Sequence, residues 1–502
     1  MLHQHEQLHV NLTRGIRTMD VVLGIDIGTT AVKCAVIDRQ THAIVASAGV
    51  ETAASVVSVA AGRAEQAVDA ILKATQAAIA QIPTHVLANV TAIGLCGQMH
   101  GIVWWRADHA ARAAQQALTS DSSSTTSAWS TLITWEDQRC STAFLTQCET
   151  RLRGHKAPQS SPLATGYGIA SFAFTMEQDA ESLAAYDSCG TIHDLIAFVL
   201  CGHRRPADAT IDTTNAFSWG AFDAATNDWD ADAIQALGIP LTMLPRVCAP
   251  GSIVGHTSGL FTGLGLPPGL PVVVPMGDHP CSVAAAVEPI DRSSNAVTLV
   301  NIGTSAQLAM LLQPADLPPA DAAASRSFEV RPYLVHDRVL GVAAALSGGN
   351  MVAWLVDRCA EWMRELSGGA ASVDRPVLYE RLIALGLERL ETTLRFDPTL
   401  QGERAAPSKT GSISDLCLQN GSLGDISAAL CRGIVENLVH MVPRELHPRL
   451  EHGRMIGTGN ALLRNPLLQH FLRQQLHDGE QQLQLQDGCD AAVGAALVAA
   501  KP

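Results

Sequence analysis

The fold is indicated by residues 21–38, which read VVLGIDIGTTAVKCAVID. Two β-rich runs, Val21 to Ile27 and Val32 to Ile37, flank a Gly-Thr-Thr turn at residues 28–30. A turn between two such runs predicts a β-hairpin, and a further run from Ala43 to Val50 predicts a third strand. The hairpin tip offers backbone N–H groups and two hydroxyls, which together suit a phosphate group. Taken alone, the same pattern also fits an ordinary hairpin.

The hairpin pattern occurs twice in the chain. Residues 27–31 read IGTTA and residues 302–306 read IGTSA, and both copies follow a β-rich run. Asp26 precedes the first copy, where Asn301 precedes the second. Self-similarity between two halves of a chain indicates a duplicated structural unit. We therefore predict two homologous domains that each offer a hairpin tip to one phosphate chain, with a chance five-residue match as the alternative.

Composition excludes several classes of protein. The chain has 502 residues, of which 47% are apolar and 16% are charged, which predicts two or three folded domains rather than a disordered chain. A net charge of −14, with no basic cluster longer than residues 203–205, argues against a nucleic-acid partner. The chain has no run of ~20 apolar residues, so we expect no membrane partner, and the His-rich N-terminus lacks the apolar core of a secretory signal. Twelve cysteines without a CxxC pair predict buried free thiols and a cytoplasmic location.

The domain organisation follows from breaks in these patterns. We expect a flexible tail at residues 1–19, an N-terminal domain at residues 20–268 and a C-terminal domain at residues 269–502. The boundary is placed at the Pro/Gly-rich stretch before the strand at residues 272–274. Residues 107–130 are rich in Ala, Ser and Thr, and we interpret them as a loop or insertion.

Glycine-rich turns follow four strand-like runs, at residues 28–30, 303–305, 348–350 and 457–460. The chain contains no GxxxxGK[ST] motif, and no GxGxxG motif follows a strand. Those absences exclude a P-loop enzyme and a Rossmann dehydrogenase. Four such turns, two of them repeats, predict a nucleotide held between two domains.

Three charged residues are candidates for the chemistry. Asp26 lies two residues before the first glycine turn, where a carboxylate can hold Mg²⁺ against nucleotide phosphates or simply end a strand. Lys33 adds positive charge to that site or is an ordinary exposed strand residue. Asp278 follows a β-rich run, where it fits a general base for transfer of phosphate to an alcohol and also fits a helix N-cap.

These segments together resemble the FGGY family of carbohydrate kinases. The first phosphate motif matches residues 23–33, the sugar-side loop 97–101, the catalytic-base motif 277–278, the second phosphate motif 300–305, the adenosine-side motif 457–460 and the C-terminal helix 490–496. The chain departs from the family at Pro280, where the base motif usually has Gln.

The resemblance implies an α/β fold of two actin- or hexokinase-like (ribonuclease H-like) domains, with a ligand cleft between them for ATP and a sugar. It implies that Asp26 orients Mg²⁺ and that Asp278 accepts the proton of a sugar hydroxyl. The implied ATP contacts are Thr29, Thr30, Lys33, Gly303, Thr304, Ser305, Gly349, Gly457, Gly459 and Asn460. The implied sugar contacts are Gln98, Met99, His100, Trp135, Asp137 and Asp278. Alternatives remain for two of these, since His100 also fits a structural hydrogen-bonding role and Asp137 also fits an ion pair with Arg139.

Within the family, the resemblance extends to kinases of a seven-carbon ketose. The supporting segments are residues 134–140, 190–194, 216–220, 402–404 and 431–438. They imply ATP-dependent phosphorylation of sedoheptulose, with a product that enters the pentose phosphate pathway. A homodimer is one possible oligomeric state of the protein. The alternatives are a kinase of xylulose or another pentulose, and an actin-like ATPase that uses no sugar.

Overall fold

The computed structural model describes residues 20–57, 60–119, 128–287, 297–317, 327–370, 374–403, 406, 408–477, 482–486 and 490–501. The predicted tail at residues 1–19 and the Ser/Thr-rich stretch at residues 121–127 lie outside these residues. The chain divides into two compact units, of which the first is Met1–Cys281 with Ala491–Pro502 and the second is Ser282–Asp490.

The elements of both units alternate between strands and helices. The strands are β1 (Val21–Ile27), β2 (Ala31–Asp38), β3 (Ile44–Glu51), β4 (Ser55–Val56), β5 (Glu65–Gln66), β6 (Val90–Gly97), β7 (Val103–Trp105), β8 (Leu132–Ile133), β9 (Ser188–Gly190), β10 (Thr210–Asp212), β11 (Phe222–Asp223), β12 (Asp228–Trp229), β13 (Arg246–Cys248), β14 (Ile253–His256), β15 (Pro271–Val273), β16 (Met276–Gly277), β17 (Val297–Ile302), β18 (Ala306–Leu312), β19 (Phe328–Pro332), β20 (Val339–Ala345), β21 (Arg395–Asp397), β22 (Ser412–Ser414), β23 (Arg454–Thr458) and β24 (Leu483–Leu485). The α-helices are α1 (Val68–Ala80), α2 (Thr84–Leu87), α3 (Ala107–Thr119), α4 (Thr142–Leu152), α5 (Gly168–Gln178), α6 (Ala180–Leu183), α7 (Ile192–Leu200), α8 (Thr213–Trp219), α9 (Ala231–Ala236), α10 (Asp278–Val287), α11 (Gly349–Leu366), α12 (Arg375–Leu387), α13 (Leu423–His440), α14 (His447–His452), α15 (Asn460–Arg464), α16 (Pro466–Arg473) and α17 (Ala491–Ala499).

The first unit is built on a sheet with the strand order β14-β15-β6-β1-β2-β3, and β16 also pairs with β6. The predicted hairpin is confirmed, since β1 and β2 pair antiparallel around the turn at residues 28–30. Strands β1 and β16 both run parallel to β6, with Ile27 and Gly277 each opposite Gly97. Parallel strands end at the same edge of a sheet, so this pairing places Asp26, Gly97 and Asp278 at one edge.

The second unit repeats this arrangement. Its sheet has the order β19-β20-β18-β17-β23-β24, with β17 and β18 as an antiparallel hairpin and β23 parallel to β17. The turn at residues 303–305 therefore occupies the same place in its sheet as the turn at 28–30 does in the first. The predicted duplication and the α/β fold class are thus confirmed by the strand topology.

Helix α17 packs against the first sheet through very close backbone approaches. A Cβ atom added to Gly24 would lie 1.8 Å from the carbonyl oxygen of Ala492, and one added to Gly94 would lie 2.1 Å from that of Ala495. Strands β15 and β16 also belong to this sheet through β6. The first unit therefore extends beyond the boundary expected at 268/269 and also includes the C-terminal helix. The reason is that long-range strand pairing outweighs the local Pro/Gly signal.

The interpretation of residues 107–130 as a loop is wrong for its first half. Residues 107–119 form helix α3, whose buried alanines are Ala107, Ala110, Ala113 and Ala114. Alanine is the best helix former, and this spacing puts the small side chains on one face that packs into the core. Near the C-terminus, α15 and α16 are separate helices because Pro466 begins a new helix.

Every helix in the described ranges is too short or too polar to cross a lipid bilayer. The predicted free thiols are confirmed for eleven described cysteines, most of them buried.

Candidate active site

Two acidic residues predicted from the sequence flank one pair of buried thiols. The Cys96 thiol, at the end of β6, donates to Asp26 Oδ1 at 3.7 Å. Burial raises the pKa of Cys96 well above its usual value, as do a hydrogen bond with Cys281 and the negative charges of Asp26 and Asp278. The structure therefore brings Asp26 and Asp278 to the same end of the first sheet.

Asp278 begins helix α10 directly after β16. Its Oδ1 accepts a hydrogen bond from the backbone N–H of His279 at 2.7 Å. Burial raises the pKa of Asp278 to about 6, against the lowering effect of its backbone hydrogen bonds. An N-cap side chain accepts from the second or third residue of its helix. The second residue after Asp278 is Pro280, which has no N–H, and the third is Cys281, which has one. A half-buried carboxylate with this pKa is suited to act as a general base near neutral pH.

Proline at position 280 fits the helix start. The first turn of a helix leaves its N–H groups without intrahelical partners, so a residue without an N–H costs nothing there. The departure from the family motif therefore leaves the backbone around Asp278 intact.

The tip of the first hairpin is surrounded by polar side chains. The Thr29 hydroxyl accepts a hydrogen bond from Trp135 Nε1 at 3.0 Å and donates to Gln98 Oε1 at 3.4 Å. The Thr29 carbonyl accepts from Gln66 Nε2 at 2.7 Å. Thr29 was predicted as a nucleotide contact, and the structure links it to two residues predicted for the sugar, Gln98 and Trp135.

Gln66 was missed by sequence reasoning. It lies buried on the short strand β5, and its Oε1 accepts from Gln98 Nε2 at 2.9 Å. A single glutamine in a two-residue strand gives no local signal, and only the tertiary contacts identify it.

The sugar-side loop is held in a strained conformation. His100 has a φ of 75°, which is unfavourable for a non-glycine residue. Its Nδ1 lies 2.8 Å from the carbonyl oxygen of Ser218, and its ring stacks on Tyr167 at 4.4 Å between centroids. Strain of this kind persists where the surroundings fix it, and it is typical of binding sites.

Met99 lies against β16, the strand that directly precedes Asp278. A Cβ atom on Gly277 would lie 2.7 Å from Met99 Sδ, so the Met99 side chain packs directly on the backbone of β16. Met99 therefore lies beside the residue that precedes Asp278, with Gln98 and His100 on either side of Met99 in the chain, and their contacts with a sugar stay predictions.

Asp137 is fully engaged by the protein. One carboxylate oxygen accepts from Arg139 N and Nε at 2.9 and 2.7 Å, and the other accepts from Ala64 N and Arg139 Nη2, both at 2.8 Å. These bonds lower the pKa of Asp137 against the effect of its burial. The ion-pair interpretation is thus confirmed, and Asp137 fixes the segment that carries Trp135.

Lys33 and Thr30 are exposed, in contrast to Asp26. Lys33 lies directly opposite Asp26 across the hairpin. Both residues are placed beside the hairpin tip, and their predicted contacts with ATP stay predictions.

The second hairpin tip is surrounded by backbone rather than side chains. Gly349 N donates to Gly303 O at 2.8 Å, and Asn350 N donates to Thr304 O at 3.1 Å. A Cβ on Gly348 would lie 2.5 Å from the backbone of Ser305. The start of the 18-residue helix α11 is therefore joined to this tip, and helix N-termini favour anions.

Two further glycines bring β23 close to the second tip. Gly459 has a φ of 94°, and a Cβ there would lie 2.3 Å from Asn301 Oδ1. A Cβ on Gly457 would lie 2.8 Å from Leu485. Both glycines are required by packing within the unit, and Asn460 begins the helix that follows.

The residues present fit a magnesium nucleotide. The described residues contain no cluster of three or more His, Cys, Asp or Glu arranged for a metal. Mg²⁺ commonly takes one or two protein carboxylates and completes its octahedron with water and phosphate oxygens. Asp26, a carboxylate at the sheet edge beside a phosphate-type turn, suits that mode of binding.

Comparison with known proteins agrees with this geometry. Residues 21–285 match the model of the FGGY family of carbohydrate kinases, N-terminal domain. The chain is 35% identical over 492 residues to the sedoheptulokinase of Homo sapiens and 34% identical to that of Mus musculus, in each case over 95% of this chain and 97% of the relative.

Solved structures share the fold. The xylulose kinase of Rhodospirillum rubrum superposes with a TM-score of 0.74 at 20% identity, and the glycerol kinase of Plasmodium falciparum with 0.71 at 16% identity. Each comparison covers 96% of this chain and 89% of the other. The family match, the full-length relatives and the common fold agree: this chain is a member of the FGGY family of carbohydrate kinases.

Proposed function

We propose that this chain transfers the γ-phosphate of ATP to the terminal hydroxyl of sedoheptulose, giving sedoheptulose 7-phosphate and ADP. The observation that carries the reaction class is Asp278, a half-buried carboxylate with a raised pKa next to the sugar-side loop. The choice of sugar is supported by the two sedoheptulokinases that resemble this chain along nearly all of its length.

In the proposed mechanism, Asp278 accepts the proton of the sugar hydroxyl while the oxygen forms a bond to the γ-phosphorus. The bond between that phosphorus and the β–γ bridging oxygen breaks, and ADP leaves with the electron pair. A carboxylate with a pKa of about 6 is mostly ionised at pH 7. It is also a stronger base than an ordinary carboxylate, so it takes up a proton more readily.

We assign the sugar to the first unit. Gln98, Met99, His100 and Trp135 are its proposed contacts, and the fixed positions of these side chains favour one orientation of the substrate. Asp137 acts through Arg139 and Ala64, because both of its oxygens already accept two hydrogen bonds each.

We assign ATP to the glycine-rich turns. Its proposed contacts are Thr29, Thr30, Lys33, Gly303, Thr304, Ser305, Gly349, Gly457, Gly459 and Asn460. Asp26 is the proposed Mg²⁺ ligand, and the ion, when bound, neutralises charge that develops on the phosphates. The proposed setting is the cytoplasm, and a homodimer stays a prediction.

The length of the sugar provides the selectivity. In sedoheptulose the terminal hydroxyl lies two carbons further from the carbonyl than in xylulose. A pocket whose polar groups pair with the additional hydroxyls disfavours the shorter sugar, because those groups are then left unpaired.

The test is the ratio of kcat/KM for sedoheptulose to that for xylulose at fixed Mg²⁺–ATP, measured by ADP release. We expect a ratio above one and a heptulose monophosphate as product by mass spectrometry. A ratio below one moves the protein to the pentulose kinases. ATP hydrolysis without any sugar dependence supports an actin-like ATPase instead.

A further inference from the structure

Helix α8, a seven-residue helix at Thr213–Trp219, contacts both the base-bearing strand and the sugar-side loop. The two contacts are made from its opposite ends. Neither contact was predicted from the sequence. The α8 residues that make the two contacts have been given no catalytic or substrate-binding role above.

The first contact is made at the N-terminal end of the helix. The Thr214 hydroxyl accepts a hydrogen bond from the backbone N–H of Gly277 at 3.2 Å, and Gly277 immediately precedes Asp278. The same hydroxyl donates its proton to Asp212 Oδ2 at 2.7 Å. This hydrogen bond fixes the rotation of the hydroxyl, so that the lone pairs of the Thr214 oxygen stay available to accept from Gly277 N–H.

Asp212 is itself fixed from several sides. Its carboxylate caps α8 by accepting from Thr214 N at 3.1 Å and Asn215 N at 2.9 Å, and it accepts from Asn215 Nδ2 at 2.8 Å. Asn215 Nδ2 also lies 3.4 Å from the carbonyl oxygen of Pro275, in the segment just before β16. Asp212 and Asn215 are fully buried, so this network is rigid and shielded from water.

The second contact is made at the C-terminal end of the helix. The carbonyl oxygen of Ser218 accepts from His100 Nδ1 at 2.8 Å, and Trp219 Nε1 donates to Gly101 O at 3.2 Å. The conformation of His100, which has a positive φ, therefore depends on where α8 lies.

We propose that Thr214 is a positioning residue for the reaction: its hydroxyl, oriented by Asp212, fixes the Met276–Gly277 peptide, directly before Asp278, relative to helix α8 and thereby relative to the His100 loop. The inference rests on the proposed function, since it concerns the distance between the base and the sugar hydroxyl. A misplacement of about 1 Å at a reacting group can cost ~10²-fold in rate.

Loss of the Thr214 hydroxyl has a specific consequence. The buried N–H of Gly277 would lose its partner on α8, and the Met276–Gly277 peptide before Asp278 would then be positioned only by its pairing with β6. Binding of ATP, which we assign to the glycine-rich turns, does not involve this peptide. The inference therefore predicts a change in kcat that is larger than any change in the KM for ATP.

The experiment compares Thr214→Val, which keeps the shape and removes the hydroxyl, with Thr214→Ser, which keeps the hydroxyl. Thr75→Val is the matched control, because Thr75 is also buried in the first unit and its hydroxyl donates to Ile71 O at 2.8 Å within helix α1. We measure kcat, both KM values and the melting temperature for each variant with the sugar that the wild type uses.

We expect Thr214→Val to lower kcat at least tenfold with the KM for ATP within twofold of wild type. Thr214→Ser should keep kcat within threefold, and Thr75→Val should keep the wild-type kcat. If Thr214→Val does not fold, Thr214→Ser still decides, since a large loss of kcat there would show that the methyl group rather than the hydroxyl matters.

The outcomes separate the two proposals. A wild-type protein without sugar-dependent turnover contradicts the proposed function. An active wild type whose Thr214→Val variant keeps its kcat, or whose Thr214 variants lose kcat only in proportion to the folded fraction, contradicts the positioning role.

Discussion

The two hairpin tips, residues 28–30 and 303–305, have the same strand pairing and different surroundings. In each, a glycine N–H closes the turn at 3.0 Å, and the first strand runs parallel to a later one. The first tip is hydrogen-bonded by the side chains of Gln66, Gln98 and Trp135. The second is hydrogen-bonded by backbone atoms of the turn at residues 348–350.

The difference lies in the neighbours rather than in the hairpins. The first tip is fixed by directional side chains, whereas the second is fixed by the backbone N–H groups of Gly349 and Asn350, which donate to its Gly303 and Thr304 carbonyl oxygens. The charge also differs, since a buried Asp26 in the first unit corresponds to an exposed Asn301 in the second. A duplicated unit thus acquires two chemical environments without any change in its strand topology.

The largest expected effect comes from removing the base, a residue at the edge of the first sheet. We expect Asp278→Asn to lower kcat by ~10²–10⁴-fold, because an amide cannot accept the proton. Steady-state kinetics with saturating sugar and ATP measure the loss, and ATP binding by calorimetry should persist. Retention of more than about a tenth of the wild-type kcat would show that Asp278 is not the base.

The raised pKa of Asp278 also predicts how kcat depends on pH, and the melting temperature of Asp278→Asn is the control for a structural role of this residue. Its folded pKa of about 6 lies above the ordinary value, so wild-type kcat should fall as pH falls through about 6. Ionising a group with a raised folded pKa costs stability above that pH, so Asp278→Asn should melt no lower than wild type at pH 7.5. A lower melting temperature for the variant would point to a structural role.

The next effect concerns the charge that distinguishes the two tips. Asp26→Asn gives the first hairpin the residue that the second has, and we expect kcat/KM to fall by ~10²-fold, equivalent to about 3 kcal/mol. The measurement is activity against Mg²⁺ concentration at fixed ATP, where the variant should need more metal. Unchanged metal dependence would support the interpretation of Asp26 as a strand-end residue.

The smallest effect comes from a matched pair of glycines. A Cβ on Gly303 meets no atom within 4 Å, whereas one on Gly28 would lie 2.9 Å from Ala31 O. We expect Gly303→Ala to raise the KM for ATP about fivefold with an unchanged melting temperature, because the added methyl group intrudes only on a bound phosphate. Gly28→Ala should lower the melting temperature.

This pair separates ligand contact from packing. If Gly303→Ala leaves the KM for ATP unchanged, the second tip does not hold the phosphate. Equal losses of stability in both variants would mean that the open space at Gly303 is not available to a side chain.

Local sequence determined the strands and turns. The run at residues 21–38 has β-branched residues on both sides of a Gly-Thr-Thr turn, and short-range sterics alone make a hairpin from it. The repeat at residues 302–306 predicted the second hairpin for the same reason. The positions of Asp26 at the end of one β-rich run and of Asp278 after another also followed from local pattern, and parallel pairing with β6 brought them to one edge.

Tertiary structure decided what local pattern leaves open. Helix α3 was missed because composition over residues 107–130 hid the helical spacing of its alanines, which only burial reveals. The extent of the first unit depended on pairing with β6 and on packing of α17, both of which join residues far apart in the chain.

The chemistry of the site was decided in the same way. The sequence alone left open whether Asp278 is a cap or a base and whether Asp137 binds a ligand or Arg139. Burial raises the pKa of Asp278, and the carboxylate of Asp137 accepts four hydrogen bonds, whereas their roles toward a ligand stay predictions. The sequence therefore determined which reactive groups are present and at which strand ends they lie. The residues that surround these strand ends, such as Gln66 beside Thr29 and Thr214 beside Gly277, are distant in the chain, and only folding brings them into contact.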